Sequence, residues 1–301
     1  MRALAAALAL LLPPALAVAQ GGGRRAPEWL GPPAPAVPRR VVSLAPSLTD
    51  TVVALGLASR LVGVTRYDDA PAVAGLPRVG GFIDPSPEAV LALKPDLVLW
   101  LTDGGAYPAV RQIAALGIPV RAIPVVSVAD TLAAARLVGA ALGDAPAGER
   151  LAAALQAAVD RARAGTAGLR RVRVLFLVGR EPLVAAGPGS YPDELLRIAG
   201  GENVVQGTRP WPVFPLERAV ALDPELVVDA AVNEPAAGLA RLDAIPAVRR
   251  GAVHRAPNDD MLRPGPKLLP ALAELVAALH PAAPGTGGAP GTRPAGGGRA
   301  R

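Results

Sequence analysis

A fourteen-residue pattern occurs twice in this chain, and it limits the possible folds more than any other feature. Ser86-Pro-Glu88-Ala-Val-Leu-Ala-Leu-Lys94-Pro95-Asp96-Leu-Val-Leu99 in the first half is matched by Pro215-Leu-Glu217-Arg-Ala-Val-Ala-Leu-Asp223-Pro224-Glu225-Leu-Val-Val228 in the second. Both copies read as Glu, an apolar helical turn, Ala-Leu, a charged residue, Pro, an acid and then Leu-Val. Proline disfavours the helical conformation in the residue before it, so each copy is a short helix that stops there and feeds directly into a buried strand. One such unit is common. Two at corresponding places in the two halves imply two similar lobes.

The rest of the body alternates in the same way. Strands are expected at Arg40–Leu44, Leu61–Thr65, Leu97–Leu101 and Ile118–Ile123, then at Val172–Val178 and Leu226–Asp229. Helices are expected from Ser47, with Ser47 as cap and Gly56 as terminator, and over Val128–Leu142, Tyr191–Ala199 and Leu268–Leu279. Strands this apolar are buried on both faces, which calls for parallel sheets covered by helices. Between the halves, Ala147 to Ala164 contains no proline and is rich in Ala, Leu, Arg and Gln. As one helix it would span about 27 Å, enough to join two lobes as a rod. The fold class is therefore α/β.

The ends have a different character. Arg2, the apolar run Ala3–Leu12 and Ala17-Val18-Ala19 read as a signal peptide over residues 1–19. The run is shorter than the ~20 residues that span a bilayer. Residues 20–38 read as a Gly/Pro leader too poor in apolar periodicity to fold, with Trp29 playing no part, and residues 281–301 as a tail of the same kind. This leaves a first lobe at 39–145, a connecting helix at 146–168 and a second lobe at 169–280.

Composition removes several classes of function. The absence of cysteine excludes disulfides, thiolate catalysis and a lipid-modified N-terminal Cys, and two histidines, His254 and His280, exclude a multi-histidine metal site. Six of the 31 basic residues (Arg2, Arg24, Arg25, Arg293, Arg299, Arg301) and one of the 25 acidic ones (Glu28) lie near the ends, so the body carries 25 against 24. A nearly neutral body is not the footprint of a nucleic-acid binder. There is no Gly-x-Ser-x-Gly elbow, Walker loop, HExxH or dinucleotide fingerprint, and Gly187-Pro-Gly-Ser190 lacks the Gly-Lys-Ser/Thr of a phosphate loop and reads as a strand-to-helix turn. Neither a catalytic residue, nor a metal, nor a resident cofactor is expected.

Several stretches, in order and spacing, resemble the class III periplasmic binding proteins of ABC importers, most nearly the cobalamin-binding branch. They are Arg40-Val-Val-Ser-Leu-Ala-Pro-Ser-Leu-Thr-Asp50, Gly63-Val-Thr-Arg-Tyr-Asp-Asp-Ala-Pro71, Val79-Gly-Gly-Phe82, the doubled Glu motif, Gly200-Gly-Glu-Asn-Val204, Pro210-Trp-Pro212 and Arg263-Pro-Gly-Pro266. The resemblance covers nearly all of Arg39 to His280. It implies two Rossmann-like α/β lobes joined by a single long backbone helix, with the ligand held in the cleft between them and only small lobe motions. It also implies a soluble, monomeric periplasmic protein that delivers a corrinoid to a permease dimer and its ATPase. Haem or a ferric siderophore is the alternative cargo, and a ligand-free structural or signalling domain a third reading.

A flat corrinoid or porphyrin with a polar rim is met by aromatics plus a few hydrogen-bonding groups. By resemblance, Tyr67, Phe82 and Trp211 are the ligand-facing aromatics, Asp259, Asp260 and Arg263 occupy the loop before the last helix where the cobalamin branch contacts its ligand, with Asp260 and Arg263 as the ligand-binding candidates, and Tyr107 and Tyr191 lie near the cleft. Met261 and Leu262 stand where the cobalamin branch often carries aromatics. Haem would want an axial Tyr, His or Met, for which Tyr67, His254 and Met261 are the candidates, although His254 reads better as structural. Arg66 and Arg263 could meet an anionic siderophore. Trp100 and Phe176, inside strands, are expected in the core. In the family, one exposed Glu per lobe pairs with permease arginines, and Glu88 and Glu217 occupy that place here.

Overall fold

The computed structural model describes residues 26–102, 105–234 and 238–281. The expected signal segment, residues 20–25 of the leader and residues 282–301 of the tail lie outside the described residues.

The first lobe contains β1 (Glu28–Leu30), β2 (Val41–Ser43), α1 (Pro46–Ala54), β3 (Leu61–Gly63), α2 (Pro87–Ala92), β4 (Leu97–Leu101), α3 (Tyr107–Ala115), β5 (Val120–Ile123) and α4 (Val128–Ala141). Its sheet runs β1-β5-β4-β2-β3, all parallel except β1, which pairs antiparallel with β5. Side chains alternate across β4. Leu97, Leu99 and Leu101 join Leu48, Val52 and Val138 on one face, whereas Val98 and Trp100 join Val110 and Ile113 on the other. Burial on both faces is why this strand reads as an unbroken apolar run.

A single helix, α5 (Ala145–Thr166), leads out of the lobe. Its 22 residues span about 33 Å. Asp144 caps it, accepting from the Ala147 amide at 3.0 Å. Leu155 and Val159 pack with Leu132 and Ala135 of α4 and with Leu195 and Leu275 of the second lobe. Glycine is required where α4 meets α5, because a Cβ at Gly139 would lie 2.7 Å from the Gly148 Cα.

The second lobe contains β6 (Val172–Arg180), β7 (Leu183–Ala185), α6 (Tyr191–Ile198), β8 (Gly201–Asn203), α7 (Leu216–Ala221), β9 (Leu226–Asp229), α8 (Leu239–Leu242), α9 (Pro246–Arg249), β10 (Val253–Arg255) and α10 (Leu268–Leu279). The sheet runs β10-β9-β6-β7, and β8 pairs with the first half of β6 on the edge that β7 takes further along. Phe176 and Val228 face α6 and α10, while Leu175, Leu177 and Val227 face Phe214, Ala219 and Ile245. The architecture is thus two parallel-rich α/β lobes flanking one long helix.

The doubled motif is doubled in backbone detail as well. Lys94 and Asp223, each just ahead of its proline, have φ of 46° and 38°, a left-handed conformation that costs a side-chain-bearing residue about 1 kcal/mol or more. In both lobes an arginine at the start of a parallel strand closes the turn, Arg40 just ahead of β2 and Arg173 in β6. Arg40 donates to the carbonyls of Lys94 (3.1 Å) and Leu93 (2.6 Å), and Arg173 to those of Asp223 (2.9 Å) and Leu222 (2.7 Å). The acid after each proline answers in kind. Asp96 accepts from the Arg39 and Arg40 amides, and Glu225 from Arg170 and the Arg173 amide.

Two local expectations are corrected. Part of the leader is folded: Glu28–Leu30 lies along β5, the Trp29 ring packs under Arg121 at 5.0 Å, and Glu28 accepts from the Tyr107 hydroxyl at 3.2 Å. An open sheet edge recruits any short extended segment, and three residues are too few to show a period. Helix α1 starts at Pro46 rather than after Ser47, with Ala45 as its uncapped entry residue. The fixed φ of proline suits a first helical position and outweighs the cap that Ser47 would provide.

Candidate functional site

Loops at the C-terminal ends of the parallel strands face one another across the gap between the lobes. Three contacts fix that orientation. Arg263, ahead of α10, bonds Asp69 after β3; a Cβ at Gly265 would lie 3.1 Å from the Ser47 carbonyl oxygen; and the Val128 amide donates to Glu194 of α6 at 2.7 Å. In open α/β sheets the crevice outside the carboxyl ends of the strands is where ligands bind.

Tyr67 follows β3 and is 51% exposed. The turn that presents it is tied from within, since Asp68 accepts from the Thr65 amide (2.7 Å) and hydroxyl (2.6 Å). The Arg66 guanidinium lies 5.1 Å from the Tyr67 ring centroid and reaches both oxygens of Asp84 at 2.7 Å, linking the Tyr67 loop to the loop that carries Phe82. Phe82 itself is partly buried against the core of its own lobe, and its neighbours Ile83 and Asp84 are exposed.

Trp211 is also 51% exposed. Its loop is stitched to the segment after β7 by Gly187 N–H to Pro210 O (2.8 Å) and Ala185 N–H to Pro212 O (3.2 Å). No other residue fits at Gly187, because a Cβ would sit on the Arg209 carbonyl oxygen. Ser190 of the Gly187–Ser190 turn caps α6, accepting from Asp193 N–H at 3.3 Å. Phe82 and Trp211 both stand six residues ahead of their lobe's glutamate. The doubled motif therefore reaches further towards the N-terminus than its conspicuous core.

The loop before α10 is engaged in polar bonding. Asp260 is buried and pairs with Lys267 at 3.2 Å. The Arg263 side chain is 11% exposed and is gripped by Asp69 (2.7 and 3.1 Å) and Asp259 (2.8 Å), with Asp50 Oδ2 3.6 Å away. Burial opposes the charge on Arg263, but its hydrogen bonds to Asp69 and Asp259 prevail and push its pKa up. The same bond to Arg263 lowers the pKa of Asp69. Asp50 goes the other way. Burial raises its pKa to about 6 against the attraction of Arg263 and Lys267, and its Oδ2 has no hydrogen-bond partner among the described residues. Asp50 and Asp69 were not singled out as site residues in the sequence, because neither is paired to anything nearby in the chain.

The remaining candidates separate cleanly. Met261 is buried in the second-lobe core and His254 is bonded to Glu274 at 2.7 Å, so Tyr67 is the haem-ligand candidate that stands exposed. Tyr191 is buried, which pushes its hydroxyl pKa well up, and Tyr107 packs on Trp100. Trp100 and Phe176 are fully buried. Glu88 and Glu217 are exposed on the first turns of α2 and α7; Ser86 caps α2 at the Ala89 amide and donates its hydroxyl to Glu88.

With two lobes, a connecting helix and an inter-lobe cleft in place, the class is that of a solute-binding protein. Residues 41–259 match the family described as Periplasmic binding protein, and the chain belongs to that family. It is 33% identical over 207 residues to the vitamin B12-binding protein of Salmonella typhimurium, covering 67% of this chain and 74% of the relative. It is 25% identical over 240 residues to the vitamin B12-binding protein of Vibrio parahaemolyticus, covering 78% and 87%. A periplasmic haem-binding protein from Pseudomonas aeruginosa superposes with a TM-score of 0.74 at 28% identity, over 82% of this chain and 94% of that one.

Proposed function

We propose that this protein captures a corrinoid in the inter-lobe cleft and delivers it to an ABC importer. The observation that carries the reading is a pair of half-exposed aromatics, Tyr67 and Trp211, one on each lobe, on loops held rigid from behind. Two flat apolar faces on opposed loops suit a planar macrocycle, and rigid loops lose little entropy on binding. Two vitamin B12-binding relatives support the same cargo. Phe82 contributes from the wall of the first lobe and Asp260 from the cleft rim. Haem is the second reading, favoured by the exposure of Tyr67 and by the haem-binding structural neighbour.

Glu88 and Glu217 are the docking points for the two permease subunits, the N-terminal segment directs export to the periplasm, and the protein acts as a monomer without catalysis, resident cofactor or nucleic-acid partner. No described helix is long and apolar enough to cross a membrane. Titration of tryptophan fluorescence with cyanocobalamin, corrected for absorption, with hemin in parallel, tests the cargo. Of the three tryptophans, Trp100 is buried and Trp29 lies on the outer strand, leaving Trp211 as the reporter at the cleft. Saturable quenching by cyanocobalamin at micromolar concentration or below, about −8 kcal/mol or better, is expected. Saturation by hemin alone would transfer the assignment to haem, and silence with both would refute tetrapyrrole capture.

A further inference from the structure

Besides α5, the α4 packing and the Val128–Glu194 bond, the lobes are tied by the ion pair of Asp69 with Arg263, 194 positions apart in the chain. Arg263 meets Asp69 with two prongs, Nη1 at 2.7 Å and Nη2 at 3.1 Å, a geometry that fixes orientation as well as distance. Its third bond, from Nε to Asp259 at 2.8 Å, anchors the guanidinium to its own lobe before it reaches across. The Arg263 side chain is nearly buried, whereas that of Asp69 is 64% exposed, so the arginine is the fixed post and the aspartate the movable catch. The backbones come close at the same point, where Gly265 faces the Ser47 carbonyl.

We infer that the Asp69–Arg263 pair is a strut that sets the opening of the cleft, and that Arg263 is a positioning residue rather than a ligand contact. A continuous helix resists bending but still allows the lobes to rock about it. A two-pronged contact beside the cleft removes that freedom at one side, holding the Tyr67 and Trp211 loops at a set separation. The Arg263 side chain makes three hydrogen bonds, to Asp69 and Asp259, so a ligand group would have to displace a carboxylate to bind it. Removing the Asp69 carboxylate leaves the bond to Asp259 in place, so the lobes gain freedom without losing the loop. The effect of the strut on cargo rests on the binding reading above; its effect on lobe separation does not.

The absence of native cysteine makes the test direct. Spin labels on Gln112→Cys of α3 and Ala273→Cys of α10, both exposed, report lobe separation by electron–electron double resonance without ligand. Asp69→Ala is expected to replace one narrow distance distribution with a broader one, and Asp69→Glu to retain the narrow form. Cyanocobalamin should dissociate several-fold faster from Asp69→Ala. A distribution in Asp69→Ala that superimposes on the parent overturns the strut. A broadened distribution in a protein that binds no cyanocobalamin upholds it and rejects the corrinoid reading alone.

Discussion

Replacing Asp50 with asparagine is expected to stabilise the protein at neutral pH and to change little near about pH 3.5. The folded protein raises this carboxyl from 3.8 to about 6 by burial, with Asp69 and Asp68 adding to the rise and Arg263 and Lys267 opposing it. A folded-state pKa above the unfolded value means that the native state binds more protons between the two. Stability is therefore full below pH ~4, falls as pH rises through about 6, and stays reduced above that. The rise of about two units corresponds to a ceiling of ~3 kcal/mol at about 1.4 kcal/mol per unit; discounted for partial contact with water, about 1–2 kcal/mol remains. Asp69 has the opposite sign. Its pKa is lowered by Arg263, so its stabilisation holds at neutral pH and disappears as pH falls through its folded value. Urea unfolding followed by far-ultraviolet circular dichroism at about pH 3.5 and about pH 7.5 separates the two. Asp50→Asn should gain ~1–2 kcal/mol at the higher pH, with no change in the denaturant slope, and almost nothing at the lower. If the variant is instead less stable at pH 7.5, attraction to Arg263 at 3.6 Å outweighs burial and the reasoning fails.

Trp211→Ala should weaken cyanocobalamin binding by more than about tenfold, the scale of one well-packed aromatic, and isothermal titration showing parental affinity would remove Trp211 from the site. Gly187→Ala should also weaken binding, because the new Cβ pushes the Arg209 carbonyl, and the Trp211 loop with it, away from Gly187; the check is whether affinity falls while the circular dichroism spectrum stays native. Glu88→Ala combined with Glu217→Ala should leave affinity unchanged and abolish uptake in cells dependent on this protein, so normal uptake would refute the docking role. Arg40→Ala and Arg173→Ala should each cost about 1–3 kcal/mol in chemical unfolding, since each strands helix-end carbonyls beside a left-handed residue.

The parts of the fold legible in the sequence are those where burial on both faces leaves a continuous apolar run. Leu97–Leu101, Leu226–Asp229 and Leu268–Leu279 form as expected. What depends on partners distant in the chain was not legible. β1 exists because β5 offers an open edge ninety residues later, and Asp69 looks like a solvated loop acid until the fold brings Arg263 to it. Trp211 stood out in the sequence because aromatics are scarce, but its rigidity depends on Gly187, which looks like any turn glycine.

The doubled motif is the most instructive case, because its meaning changes with the structure. Read as sequence, the two glutamates stand out and suggest docking. In the fold, other members of the repeat serve the backbone: a left-handed residue before proline, an arginine at or just ahead of a parallel strand closing the helix end, and an acid returning the bond. That apparatus fixes how α2 enters β4 and how α7 enters β9, and it would place any residue at the first turn of each helix in an equivalent, exposed position. The equivalence of Glu88 and Glu217 is thus built into the lobe architecture, while their identity as glutamate is not. α2 has Ser86 as a side-chain cap and α7 has none, so helix capping does not require the same acid in both. An unneeded residue retained at both positions argues for a partner that reads both lobes at once. Single replacements alter one helix end each and cannot separate capping from docking, whereas loss of uptake at unchanged stability in the double variant can.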